Sequence, residues 1–198
     1  MSEQLERVLE ERLSGFAPDV TAPVLDGEDV AYAVEDTAVG RLLLAVRADG
    51  VVLASSFAPD TAAEDAVLAR LATRVSPRVL RRPGRTDEVR RELAEYLAGR
   101  RRSFEVRTDL TLAGTFQASV LGALVEAVPY GQRTTYGALA REVGRPTASR
   151  AVGAALGANP LCVLLPCHRV VAASGALTGY AGGLEAKQLL LELEARAA

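Results

Sequence analysis

Apolar residues first recur at helical spacing: Leu5, Val8, Leu9 and Leu13 share one face, which predicts an amphipathic helix ending near Gly15. The period then changes. The stretch "VAYAVEDTAVGRLLLAVRADGVVLASSF" contains three apolar runs of strand length separated by turn residues, with Asp49-Gly50 as a hairpin signal, and predicts an antiparallel meander. Val67, Leu68, Leu71 and Val75 predict a helix, and Val79 and Leu80 a short strand. Val89, Leu93, Tyr96 and Leu97 predict another helix, and "SFEVR" a last strand. This first half reads as an α+β unit in which no chemistry is visible.

The pattern becomes helical after Thr108. Phe116, Val120, Leu124 and Ala127 define a helix that stops before "PYG", where proline and glycine cannot continue it. "TTYGALAREVG" offers Thr134 and Thr135 as capping hydroxyls, Leu139, Ala140 and Val143 as an apolar face and Gly144 as a stop. A third helix, "TASRAVGAALGAN", begins near Thr147 and ends around Gly157. Two short helices joined by "GRP" have the proportions of a helix-turn-helix, whose second helix enters a groove of DNA. We therefore divide the chain into residues 1–108, an N-terminal α/β domain, and 109–198, a C-terminal domain.

Composition agrees with a folded protein: 49% of the 198 residues are hydrophobic and 24% charged. The start carries acid where a secretory signal needs an apolar run, and no stretch approaches the ~20 apolar residues of a membrane span. A cytoplasmic protein with no membrane partner is expected. Net charge is −2, but its distribution is uneven. Residues 1–108 hold 16 basic and 19 acidic side chains, whereas 129–180 hold Arg133, Arg141, Arg145, Arg150 and Arg169 against the single acid Glu142. That local excess fits a small anion-facing surface.

Cysteine usage narrows the chemistry. Cys162 and Cys167 are too few for a disulfide framework and lack the histidines a zinc site requires, so no metal and no cofactor are expected. Cys167 precedes the only histidine, His168, in "PCHRVV". A thiol of ordinary pKa, about 8.5, is mostly protonated at neutral pH, and a reactive one needs a proton acceptor or a positive field beside it. If residues 163–168 are extended, Cys167 and His168 point to opposite faces. Either the chain turns after Pro166 or a water relays the proton. A carboxylate should hold the other imidazole nitrogen, and Glu192 and Glu194 are both candidates. Cys162, among apolar residues, reads as a small buried hydrophobe without a role.

The blocks "PYG", "TTYG", "RAVG", "NP", "PCHRVV", "GY" with "GG", and a lysine followed by "LL" and a glutamate run in order from 129 to 194. Together they resemble the C-terminal domain of the O6-alkylguanine-DNA alkyltransferases, the methylated-DNA–protein-cysteine methyltransferases. Upstream, "GTFQASVLGAL" is similar to that family's first helix, with Leu121 where a tryptophan is common. The resemblance implies a ribonuclease H-like N-terminal domain, an antiparallel sheet with flanking helices. It also implies a mostly helical, winged-helix-like C-terminal domain containing the helix-turn-helix.

It further implies that Cys167 accepts an alkyl group from the O6 of a damaged guanine, irreversibly and once per molecule. Asn159, His168 and Glu194 would form a water-assisted chain that raises the thiolate fraction, and the family spacing selects Glu194 over Glu192. Arg150 would occupy the space left by an extruded nucleotide, and Tyr136 would crowd its phosphate and meet the purine. Tyr180 would line the pocket, with backbone groups of Cys167, Val170 and Ala181 on the purine edge; Ala181 stands where some members have serine. Gly182 and Gly183 would let the chain pass close to the base or form the loop before the last helix. Lys187 matches a family lysine, yet reads more simply as a cation on a helix face. The implied partner is double-stranded DNA containing alkylated guanine, met by a monomer. The range of adducts, O4-methylthymine included, stays open.

Three rivals follow from the same residues. A damage sensor of alkyltransferase-like type lacks the acceptor cysteine, which is present here. A cysteine hydrolase would turn over an ester or peptide. A helix-turn-helix regulator would bind undamaged sequence without needing Cys167.

Overall fold

The computed structural model describes residues 30–196. The helix expected over 1–15 lies outside them. Strands β1 (Val30–Thr37), β2 (Gly40–Arg47) and β3 (Val52–Phe57) form the expected antiparallel meander. The β2–β3 turn depends on Gly50 at φ 83°, a left-handed conformation glycine adopts without a Cβ penalty, and the Asp49 carboxylate accepts the Val51 N–H. Helix α1 (Thr61–Arg74) is capped by Asp60, whose carboxylate accepts the Ala63 N–H at 2.8 Å. It crosses back to β4 (Val79–Arg81), which pairs in parallel with β1, giving the order β3-β2-β1-β4. The sheet is therefore mixed, not wholly antiparallel, because a helical crossover returns the chain in the direction it left.

A short 3₁₀ turn, Pro83–Thr86, leads into α2 (Asp87–Leu97), which buries Val89, Leu93 and Tyr96 as their spacing predicts. "SFEVR" is not a strand. The buried Glu92 carboxylate accepts the N–H groups of Glu105 and Val106, at 2.8 and 3.3 Å, taking the place of a ladder partner.

Helices α3 (Thr115–Ala127), α4 (Tyr136–Glu142) and α5 (Ser149–Gly157) pack around Val120, Leu121, Leu124, Leu139, Ala140 and Val152. Thr135 is the cap of α4: its hydroxyl accepts the Ala138 N–H at 3.1 Å. Thr134 and Thr135 also form β5, paired in parallel with β6 (Val170–Val171). Helix α6 (Gly183–Arg196) closes the description, burying Ala186, Leu190 and Leu191.

The sheet and the helical half meet along the outer edge of β3. Ser55 N–H donates to Pro160 O, and the hydroxyls of Ser55 and Ser56 donate to Cys162 O and Pro160 O at 2.8 and 3.2 Å. One continuous core runs from Leu42, Leu44 and Val52 of the sheet to Leu161, Val163, Ala186 and Leu190. That contact fixes where the Cys162–Cys167 segment sits.

Candidate active site

The segment that carries Cys167 starts at Asn159, after α5. Asn159 Oδ1 accepts the Leu161 N–H at 3.0 Å, while Nδ2 donates to Leu165 O at 3.0 Å and to Cys167 Sγ at 3.2 Å. Between them Val163 takes a left-handed φ of 71°, a strained conformation for a β-branched residue, held by the Leu165 N–H to Leu161 O bond. After Pro166 the chain turns into a 3₁₀ segment, Cys167–Arg169. The chain thus turns after Pro166, yet the turn brings no hydrogen bond between Cys167 and His168, and His168 Nδ1 is left without a partner among the described residues.

His168 is fully buried, and its Nε2 lies 2.6 Å from Glu194 Oε1. Glu194 also accepts from Arg169 Nε at 2.9 Å, from Gly131 N–H at 2.9 Å and from the Tyr96 hydroxyl of α2. Glu192, the other candidate, is bonded to Gln188 at the surface. Burial alone would raise the Glu194 carboxyl; donors from His168, Arg169 and Tyr96 outweigh it and bring the pKa down to about 2. Burial lowers His168 below its ordinary value, against the attraction of Glu194, with Arg169 and Lys187 adding repulsion. A neutral imidazole facing a carboxylate through Nε2 must carry its proton there. Nδ1, buried and without a protein hydrogen bond, is then the basic nitrogen.

Cys167 is 5% exposed. The neighbouring Cys162 thiol lowers its pKa, against the opposing effect of burial, and Asn159 and the Lys187 charge lower it further. Lys187 is not the surface cation the sequence suggested. It is wholly buried, with Nζ donating to Val170 O at 2.6 Å and Thr178 O at 2.9 Å. Its pKa is lowered by burial, and the charge at Cys167 opposes that. The signal was available: Lys187, Leu190, Leu191 and Glu194 recur at helical spacing, so two charged residues share the buried face of α6. Lys187 is also the only lysine in the chain.

Tyr180 packs edge-on against Phe57 of β3, ring centroids 5.4 Å apart, and against His168 at 6.4 Å. A Cβ on Gly182 would overlap the Phe57 ring, so glycine is required there by the sheet rather than by the conformation of the loop. Val170 is buried beside Cys167, and Ala181 is exposed on the loop before α6. The Tyr136 hydroxyl, at the start of α4, accepts from Thr178 Oγ1 at 3.1 Å. Arg150 stands exposed at the second position of α5, with no hydrogen bond among the described residues. Arg169, counted from sequence with the basic surface, is instead buried on Glu194 and Val128 O, leaving Arg133, Arg141, Arg145 and Arg150 exposed. A cavity of about 350 Å³ behind the turn is lined by Tyr96, Tyr130, Leu165, Pro166 and Arg169 but by neither Cys167 nor His168. No cluster of three or more histidine, cysteine, aspartate or glutamate side chains among the described residues could hold a metal ion.

Residues 115–196 match a family model described as the DNA-binding domain of 6-O-methylguanine DNA methyltransferase. The chain is 52% identical over 108 residues to a methylated-DNA–protein-cysteine methyltransferase of Methanosarcina acetivorans, covering 54% of this chain and 67% of that protein. A crystal structure of Mycobacterium tuberculosis OGT in complex with DNA superposes with TM-score 0.72 at 37% identity, over 85% of this chain and 94% of that one. The chain belongs to the methylated-DNA–protein-cysteine methyltransferase family. The inducible methyltransferase of Bacillus subtilis is 51% identical over 107 residues, 54% of this chain, and there the match spans 58% of the relative's length. The family model begins at the first residue of α3 and runs to the last of α6, so it contains the Cys167–Arg169 turn, the buried Glu194 network and helices α4 and α5.

Proposed function

We propose that the protein repairs DNA by moving the alkyl group of an O6-alkylguanine onto Cys167. The observation that carries this reading is the Cys167 sulfur: it accepts a hydrogen bond from Asn159 and lies next to a histidine whose far nitrogen is locked on a buried carboxylate. The relatives' names and the DNA-bound neighbour support it. His168 Nδ1 takes the thiol proton through a water, since Nε2–H is committed to Glu194. The thiolate then attacks the alkyl carbon; the S–C bond forms, the C–O6 bond breaks, and its electron pair leaves with guanine, which takes up the proton that His168 had accepted. Tyr136, its hydroxyl tethered to Thr178, is assigned to offset the departing charge.

A stacked base hides the alkyl carbon from in-line attack, so the nucleotide must leave the duplex. We infer that α4 and α5 act as a helix-turn-helix in a winged-helix-like unit, joined to a ribonuclease H-like N-terminal domain at about residue 108. Arg150, exposed and unpaired among the described residues, fills the gap in the base stack. Tyr180, Val170 and Ala181 border the pocket that receives the base. Each molecule acts once, because a thioether at Cys167 cannot be cleaved by these residues. The proposed setting is the cytoplasm, as a monomer on double-stranded DNA; no described helix is long and apolar enough to cross a membrane. O4-methylthymine presents the same alkyl–oxygen bond and is the second substrate to test.

The test is intact mass after incubation with a duplex containing O6-methylguanine. One added CH2 per chain, located on Cys167, is expected. Several additions or an unchanged mass would reject the function, and equal binding to undamaged duplex of one sequence, independent of Cys167, would favour a regulator.

A further inference from the structure

Phe57 is the last residue of β3, and its ring reaches into the half of the chain that holds Cys167. Half-buried, it packs against two cores, the one shared by the sheet and α6 and the one that contains Cys167. Two glycines leave room for it. A Cβ at Gly40 of β2 would stand 3.7 Å from the ring, an ordinary contact, whereas a Cβ at Gly182 would stand 2.8 Å from Cε2 and closer still to Cζ and Cε1. Gly182 does not take a left-handed φ, so the ring, not the backbone, excludes a side chain there. Two residues earlier, Tyr180 meets both Phe57 and His168 edge-on, and its hydroxyl is buried with no hydrogen bond among the described residues. The start of this loop is fixed separately, because Thr178 O accepts from Lys187 and Thr178 Oγ1 donates to Tyr136. The Tyr180–Gly182 stretch rests on Phe57.

We propose that Phe57 is a positioning residue that sets substrate specificity: its ring props the Tyr180–Gly182 loop and so fixes the room left for the alkyl group. This rests on the reading of Cys167 as the acceptor and of that loop as a border of the base pocket. The cause is packing. A ring in contact on one side with Gly182 and backed on another by β2 cannot shorten, and close-packed neighbours pass a change of its volume on to whatever leans on it. A shorter side chain at position 57 lets Tyr180 and Gly182 settle onto β3 and widens the space they border. Apolar pockets discriminate by such volumes, one methylene being worth about tenfold or more in rate. The N-terminal sheet, which carries no reacting group, thereby takes part in choosing the adduct.

The experiment measures single-turnover transfer to the full chain from two duplexes, one carrying O6-methylguanine and one the bulkier O6-benzylguanine. Phe57→Leu should raise the benzyl-to-methyl ratio of rates about tenfold, as a small gain of pocket volume does. Gly182→Ala should slow transfer from both duplexes about tenfold, because its methyl group overpacks against the ring. Combined with Phe57→Leu, it should lose most of that defect, a coupling that independent sites do not show. The ionisation midpoint of Cys167, read by thiolate absorbance, should stay where it is in all three variants, which separates a change of pocket size from general damage to the site. If Phe57→Leu melts less cooperatively than wild type, Phe57→Met, which also removes the ring, carries the comparison. An unchanged ratio in the ring-free variant, or a Gly182→Ala defect equally large with and without the ring, overturns the proposal. Wild-type protein that accepts neither group would overturn the acceptor reading, and the specificity role with it, while urea unfolding would still show whether the ring and position 182 are coupled.

Discussion

The buried centre around Glu194 and the exposed face of α5 both hold arginine, and they use it in opposite ways. Arg169 is committed to one carboxylate and one carbonyl, whereas Arg150 is exposed with no bond among the described residues. In the first case desolvated charge is compensated by fixed partners, which orients a histidine. In the second an uncompensated cation remains available to an incoming polyanion. Under the proposed function, chemistry and recognition are thus separated by burial, within a single stretch that reads from sequence as one basic patch.

Substitutions can break that separation or sharpen it. The largest effect belongs to Cys167→Ser, which should abolish alkyl acceptance, read by intact mass, while leaving affinity for the duplex unchanged. Glu194→Gln should cost about 3 kcal/mol in urea unfolding at neutral pH, since it leaves buried Arg169 without its counter-charge. Glu194 titrates at about 2 in the folded protein, below an ordinary carboxyl, so its contribution is complete above the unfolded value and is lost as pH falls toward 2. The gap between wild type and variant should therefore close on acidification; a gap independent of pH would break the assignment. Arg150→Ala should slow transfer from duplex about tenfold, equivalent to about 1.4 kcal/mol, without altering Cys167 ionisation. If ionisation moved as well, the two regions would not be independent. Smallest, Thr135→Ala should cost about 1 kcal/mol of stability through loss of the α4 cap, measured by urea unfolding, with the Cys167 midpoint unmoved.

Much of this arrangement was legible because it is local. The α2 and α3 faces, the Thr135 cap, the Asp49-Gly50 turn and the adjacency of Cys167 and His168 all depend on residues a few positions apart. The rest depends on distant partners. Tyr96 reaches Glu194 from 98 residues away, and nothing in "EYL" announces that bond. The parallel pairing of β4 is settled by the crossover, not by its three residues. "SFEVR" has strand-like composition but loses its ladder to Glu92. Lys187 was legible as well, because its helical spacing from Leu190, Leu191 and Glu194 puts it on the inward face.

The serine clasp on β3 has a second consequence. A border strand with free amides and carbonyls invites other chains to add to it, and proteins usually guard such borders with charge, proline or a covering loop. Here residues 107–109 and 160–162 cover that border, through Val52 and Ser55 respectively. The segment that leads to Cys167 therefore also covers an open sheet border, and a change that peeled it away would leave the Ser55 backbone groups free to pair with another chain.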